Sequence, residues 1–247
     1  MADALLSEVL TEARIDLAAA LRWAERVGLS EGICNHFSFA VPGTDDRFLI
    51  NPQGMHWSEI TASSLLLVDG EGELIEGDTP PEPTAFFIHW RLHKHAPQAA
   101  CVMHTHMPFA TSLTSLEDGR LLPVNQNSLM FHDRVAYDDN YKGLALDAAE
   151  GDRMCAALGN RSILFLANHG VIVTGASVAE AFNDLYYLER ACMTQVMAMS
   201  TGRPLKLVDE ATARKTAQQI ADNRTQPLAH FTALKRILDR QTPDYRA

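Results

Sequence analysis

Apolar residues recur at helical spacing over residues 5–27, with Ile15, Leu17, Leu21, Trp23 and Val27 on the apolar side, and Gly28 stops the run. The pattern then changes. Residues 31–40 and 47–50 read as strands, and the turn-forming Pro42-Gly43-Thr44-Asp45-Asp46 between them predicts that they pair. Residues 65–69 and 73–75 flank Gly70-Glu71-Gly72, a hairpin signature. A helix is predicted over 84–95, a short buried strand over 99–103, and a further helix from Pro108, a residue suited to a first helical turn. Residues 115–144 read as a loop, long enough to suggest a functional role. A helix over 147–158, strands over 162–167 and from Val171, and a long helix over 177–200 complete one domain, residues 1–205. Residues 206–247 form a helical extension, with helices predicted over 210–223 and 228–238 that meet near Pro227 and suit the bracing of an oligomer. Strands alternate with helices while hairpins are present. The expected fold is therefore α/β, with a mixed, largely antiparallel sheet covered by helices.

Three histidines close apolar runs. His104 and His106 end the 99–103 strand, and side chains two apart on a strand share a face, so both rings can reach one ion. His169, in Asn168-His169-Gly170, ends the 162–167 strand, and Gly170 is placed to turn the chain into Val171-Ile172-Val173. Three imidazoles leave an open coordination position for water or substrate, the pattern of a catalytic metal site. The alternative for His104 and His106 is a pair of ordinary strand-end histidines.

Composition narrows the class. The 247 residues are enough for one large domain, and 47% apolar content fits a globular core. Acidic residues outnumber basic ones 31 to 21, a net charge of -10, which argues against nucleic acid as a partner. No stretch resembles a signal peptide or a membrane span, so a cytoplasmic protein without a membrane partner is expected. Cys34, Cys101, Cys155 and Cys192 are widely spaced in apolar surroundings and are expected as buried thiols.

The segments Gly32-Ile33-Cys34-Asn35-His36-Phe37-Ser38, Asn51-Pro52-Gln53-Gly54, His104-Thr105-His106 and Ala167-Asn168-His169-Gly170 precede a Tyr186-Tyr187-Leu188-Glu189 helix. Taken in order, these landmarks resemble the class II aldolase/adducin family over roughly residues 8–205. The resemblance implies an α/β/α three-layer sandwich, a homotetramer with sites at subunit interfaces, and a divalent ion, usually zinc, on His104, His106 and His169. Manganese and iron are the other ions such a ligand set admits. It also implies substrate-binding roles for Asn35 and for the segments holding Gln53, Gly54 and Thr84.

One departure stands out. In the sugar-phosphate aldolases of the family, a glutamate within a Ser-Ser-Glu segment carries the proton, and ungapped spacing from Pro97 and His104 puts Pro83-Thr84-Ala85 there. Ala85 takes the place of the glutamate. Glu82 lies three residues earlier and substitutes if the loop shifts; its other reading is a solvated carboxylate between prolines. His132, in the long loop, is the preferred proton carrier because imidazole titrates near neutral pH, with Tyr137, Tyr141, Tyr186 and Tyr187 as further candidates. The phosphate donors of those aldolases are also weakened, since Pro83-Thr84 and Gln53 replace them. With Phe86, Phe87, Trp90, Phe109, Met130, Phe131 and Tyr137 nearby in sequence, a non-phosphorylated hydroxy-carbonyl or hydroxymethyl substrate is expected, aromatic ones included. The leading reading is a metal-dependent carbon-carbon lyase that releases a small aldehyde such as formaldehyde. Decarboxylation, isomerisation or iron-dependent oxygenation at the same ion is the second reading, and a non-enzymatic adducin-like protein the third. His89 and His93, one helical turn apart, read as ordinary helix histidines.

Overall fold

The structure, a computed structural model, describes the backbone of residues 2–247 and side chains from residue 7 onward. Helix α1 (Ala2–Arg26) leads into β1 (His36–Ala40), β2 (Phe48–Ile50), β3 (Leu66–Val68) and β4 (Leu74–Glu76). Next come α2 (Pro83–His95), β5 (Cys101–Thr105), α3 (Pro108–Thr114), α4 (Gln126–Leu129) and β6 (Val135–Asp138). The chain continues through α5 (Ala148–Leu158), β7 (Ile163–Leu166), β8 (Gly170–Gly175) and α6 (Val178–Met199) to α7 (Glu210–Asp222) and α8 (Gln226–Gln241). Local chemistry sets several of the starts. Asp147 and Ser177 cap α5 and α6 by accepting from the backbone N–H of Glu150 and Glu180, and Pro83 occupies the first turn of α2, where its missing N–H costs nothing.

The eight strands form one sheet in the order β4-β3-β2-β1-β5-β8-β7-β6. Every neighbouring pair is antiparallel except β6 with β7, so the sheet is mixed and largely antiparallel. Strand alternation sorts its side chains into two layers. Cys101 and Met103 of β5 join Phe37, Val171 and Val173 under the buried faces of α1 and α6, where Leu17, Leu21, Phe182 and Leu185 are fully buried. Val102, between them, points the other way and packs with Leu164 and Ile172 against Ile88 and Leu92 of α2 and Met154 and Leu158 of α5. The result is a three-layer α/β/α sandwich, as expected.

The C-terminal helices are tied to this body. Phe231 and Leu238 of α8 are buried in the α1/α6 layer, Trp23 Nε1 donates to the Leu234 carbonyl at 3.0 Å, and the backbone N–H of Ala62 donates to the carbonyl of buried Tyr245 at 2.9 Å. Helix α7 buries only Ala213. No helix among the described residues is long and apolar enough to cross a membrane.

Three expectations need correction. Residues 115–144 are not one loop: they hold α4 and the edge strand β6, whose Val135, Ala136 and Tyr137 are only half buried because an edge strand has one neighbour and presents a weak apolar pattern. The turn before β8 is made by Asn168, at φ 56°, a left-handed conformation that asparagine tolerates; Gly170 opens the strand itself. Only Cys101 and Cys192 are buried thiols, Cys34 being exposed and Cys155 half buried at the edge of its helix layer.

Candidate metal centre

Strand β5 carries His104 on the α2-facing side, and the antiparallel register sets His36 of β1 directly opposite it. His106 follows β5, and His169 sits in the tight turn between β7 and β8. Two strand ends thus deliver three imidazoles to one point, with ring centroids 4.8 to 5.0 Å apart and one candidate ligand nitrogen from each ring within 4.8 Å of the others. Among the described residues this is the one such group of three or more histidine, cysteine or carboxylate side chains.

The outer nitrogens explain the orientation. His104 Nδ1 lies 3.0 Å from the Val171 carbonyl, which can only accept, so the proton is on Nδ1 and the Nε2 lone pair is left free. His106 Nδ1 donates in the same way to Glu31 Oε2 at 2.5 Å, and its buried Nε2 has no protein partner. An orphaned buried nitrogen is costly unless something outside the chain satisfies it. A carboxylate or carbonyl behind the imidazole, as His104 and His106 have, is the usual support of a metal ligand, and this donor set fits a divalent ion.

Burial keeps the His104 and His169 rings neutral. It drives His104 far below the usual histidine range and lowers His169 to about 4, where the charge His106 would carry adds to the effect and Glu150 and Glu31 oppose it. Burial also takes His36 to about 4 against the pull of Glu82, and takes His93 to about 4 against its bond to the Ala99 carbonyl. An unfolded chain takes up these protons near pH 6.5, the folded one only near 4. The unfolded state therefore binds more protons in that window, and stability present above pH 6.5 is lost as pH falls towards 4. For half-buried His93 alone the loss is on the order of 3 kcal/mol at most. Urea titrations of the metal-free protein should show the midpoint falling between pH 7 and pH 4.5; an unchanged midpoint would contradict this.

The three ligands open into a cavity of about 260 Å³, also lined by Asn35, Gln53, Glu82, Thr84 and His36. Asn35, at φ 75°, accepts from the backbone N–H of His106 through Oδ1 at 3.2 Å, while its buried Nδ2 has no partner. Gly54, at φ 86°, turns the chain beside Gln53. Ala85 is buried among Phe48 and Ile50, away from the ligands, and the carboxylate in the cavity wall is that of Glu82, with Oε2 3.5 Å from His36 Nε2. Burial opposes ionisation of Glu82, but hydrogen bonds from Thr84 and Ala85 outweigh it and hold the carboxyl below its ordinary range.

His132 and Tyr137 lie elsewhere in the chain. His132 lines a separate hollow of about 190 Å³, 3.5 Å from Asp133 and 3.2 Å from Glu210 of α7. Tyr137 lies between that hollow and another of about 400 Å³, its hydroxyl accepting from the Leu121 N–H under the Arg120 guanidinium. Tyr186 and Tyr187 pack around His230. Tyr141, 6.2 Å from the His169 ring, is the tyrosine that lines the cavity. The other expected aromatic walls are core: Phe86 and Trp90 stack on Phe48, and Phe109, Met130 and Phe131 belong to the α1/α6 layer. Sequence reading passed over His36, whose importance comes from its pairing with His104, and Glu31.

Buried His89 and half-buried His93 do have a link to this region. Ser38 Oγ bridges His89 Nδ1 at 2.5 Å and His93 Nε2 at 2.7 Å, and the His89 ring lies edge-on to His36, centroids 5.6 Å apart. They are interior groups, not helix-surface histidines.

Comparison with known proteins agrees with the geometry. A Caulobacter vibrioides protein that carries an aldolase class 2 name is 40% identical over 245 residues, covering 97% of this chain and 94% of its own. The crystal structure of an aldolase II superfamily protein from Pseudomonas syringae superposes with a TM-score of 0.90 at 37% identity, over 97% of this chain and 96% of that one. Alpha-adducin of Mus musculus is 37% identical over 79% of this chain, which spans 27% of the adducin. The family description Class II Aldolase and Adducin N-terminal domain matches residues 15–196, a segment that holds all three histidines and the cavity around them. The chain belongs to the class II aldolase and adducin family.

Proposed function

We propose that this chain is a metal-dependent carbon-carbon lyase, with zinc on His104, His106 and His169 (manganese or iron being the alternatives), acting as a homotetramer on a non-phosphorylated hydroxy-carbonyl or hydroxymethyl substrate. The observation that carries the reading is the convergence of three imidazoles on a cavity that also holds an ionised carboxylate and an unpaired amide donor.

When bound, the ion supplies a Lewis acid for the charge that develops as a bond next to a carbonyl breaks. The chain supplies the rest. Asn35 Nδ2 donates a hydrogen bond to a substrate oxygen. Glu82 Oε1, which makes no hydrogen bond within the described residues, takes the proton of the β-hydroxyl as the carbon-carbon bond opens and the aldehyde leaves. The Tyr141 phenol returns a proton to the carbon left behind. His132 and Tyr137 line other hollows within one chain, so a part in the reaction would need them to serve the cavity of a neighbouring subunit. No arginine or lysine lines the cavity, which supports a substrate without phosphate.

Zinc-loaded protein mixed with hydroxymethyl and hydroxy-carbonyl compounds, aromatic ones included, should release aldehyde, read by a coupled dehydrogenase. The adducin relatives support one competing reading, a binding protein without catalysis. A protein that takes up no zinc, manganese or iron under any condition would favour it.

A further inference from the structure

The N-terminus of α2 is occupied by the chain itself. Glu82 precedes the helix, and its Oε2 accepts from the backbone N–H of Ala85 at 2.7 Å and from the Thr84 hydroxyl, while His36 Nε2 stands 3.5 Å away. The free N–H groups of a helix's first turn and its dipole favour an anion at that position. Glu82, Thr84 and His36 all line the cavity of the three metal ligands, so this position is part of the cavity wall. All three contacts converge on one oxygen, and Oε1 of this cavity-lining residue makes no hydrogen bond among the described residues.

We propose that Glu82 is a built-in anion that determines substrate charge: it fills the seat that a phosphate or carboxylate would take, and Oε1 selects a group that is neutral at this wall and donates a hydrogen bond, the same hydroxyl whose proton it takes in the reading above. The inference rests on the cavity being the substrate site, as in the reading above. It goes further by naming the residue and the means of selection. A second anion brought to this wall would meet the Glu82 charge with no arginine or lysine to offset it, and the donors it needs are already engaged.

Calorimetry with inorganic phosphate, on zinc-loaded and on metal-stripped protein, tests this without turnover. Wild type should show no saturable binding up to about 10 mM. Glu82→Ala and Glu82→Ser should bind phosphate at least about tenfold more tightly, with or without metal, because the freed donors belong to Thr84, Ala85 and His36. Serine is a preferred helix cap, so Glu82→Ser keeps α2 formed if the alanine variant does not. Glu82→Gln, which leaves a carbonyl in the same seat, should gain little. Phosphate bound equally by wild type and variants, or by neither folded variant, overturns the proposal. Aldehyde release by wild type from a phosphate ester overturns it too while upholding the lyase reading, and an inactive protein whose Glu82 variants gain phosphate does the reverse.

Discussion

His104→Ala should strip the protein of its ion and lower aldehyde release by about a thousandfold or more, with the fold retained. The ring sits at the end of a central strand, is 2% exposed, and is held by the Val171 carbonyl. Its neighbours His106 and His169 cannot make up the loss, because two imidazoles leave too few ligands to hold zinc at a catalytic site. The backbone pairing of β5 with β8 does not involve the side chain, so far-ultraviolet circular dichroism should match wild type. Elemental analysis of both proteins, purified without added metal, reads the first effect, and the aldehyde assay the second. Wild-type metal stoichiometry in the variant would remove His104 from the ligand set.

The second large effect is expected at a residue with no chemistry of its own. A Cβ placed on Gly170 would lie 2.5 Å from the Thr105 carbonyl oxygen and 2.8 Å from Cδ2 of the His106 ring. The first of these is backbone in the centre of the sheet and cannot swing aside. Gly170→Ala should therefore force β5 and β8 apart at the site, costing on the order of 3 kcal/mol in stability. Because the second clash is with a ligand, zinc affinity should fall as well, by tenfold or more. Chemical denaturation and a competitive zinc titration measure the two losses. A variant with wild-type stability and zinc affinity would show that the sheet gives way there at no cost.

Much of this was legible in the sequence, and the gaps have physical causes. The grouping of the three histidines could be expected because strand alternation places His104 and His106 together and an apolar run announces His169. The longer helices followed from their apolar period and their start and stop residues, whereas the four-residue α4 did not. His36 could not be weighed, because its importance depends on a cross-strand register with His104 that no local pattern encodes. Strand β6 was hidden for the same kind of reason: Val135-Ala136-Tyr137-Asp138 is short, lies at an edge and gains its order from pairing with β7. Glu82 was judged by its spacing to Ala85, whereas its place depends on the capping geometry of α2, which turns the carboxylate back into the cavity. The aromatic residues misled because sequence proximity to the ligands says nothing about which face of a helix they take. Phe86 and Trp90 cover β2 instead.

The order of the strands also bears on when the metal centre can come into being. His104 and the Val171 carbonyl that orients it are 67 positions apart in the chain, and the β5/β8 pairing between them encloses α3, α4, β6, α5 and β7. Closing so long a segment is entropically expensive and belongs to the slow part of folding. An ion has no assembled site to bind in the unfolded chain and cannot guide the early steps. Once the sheet has closed it stabilises only the native state, so metal loading acts by slowing unfolding and leaves the rate of folding to the protein.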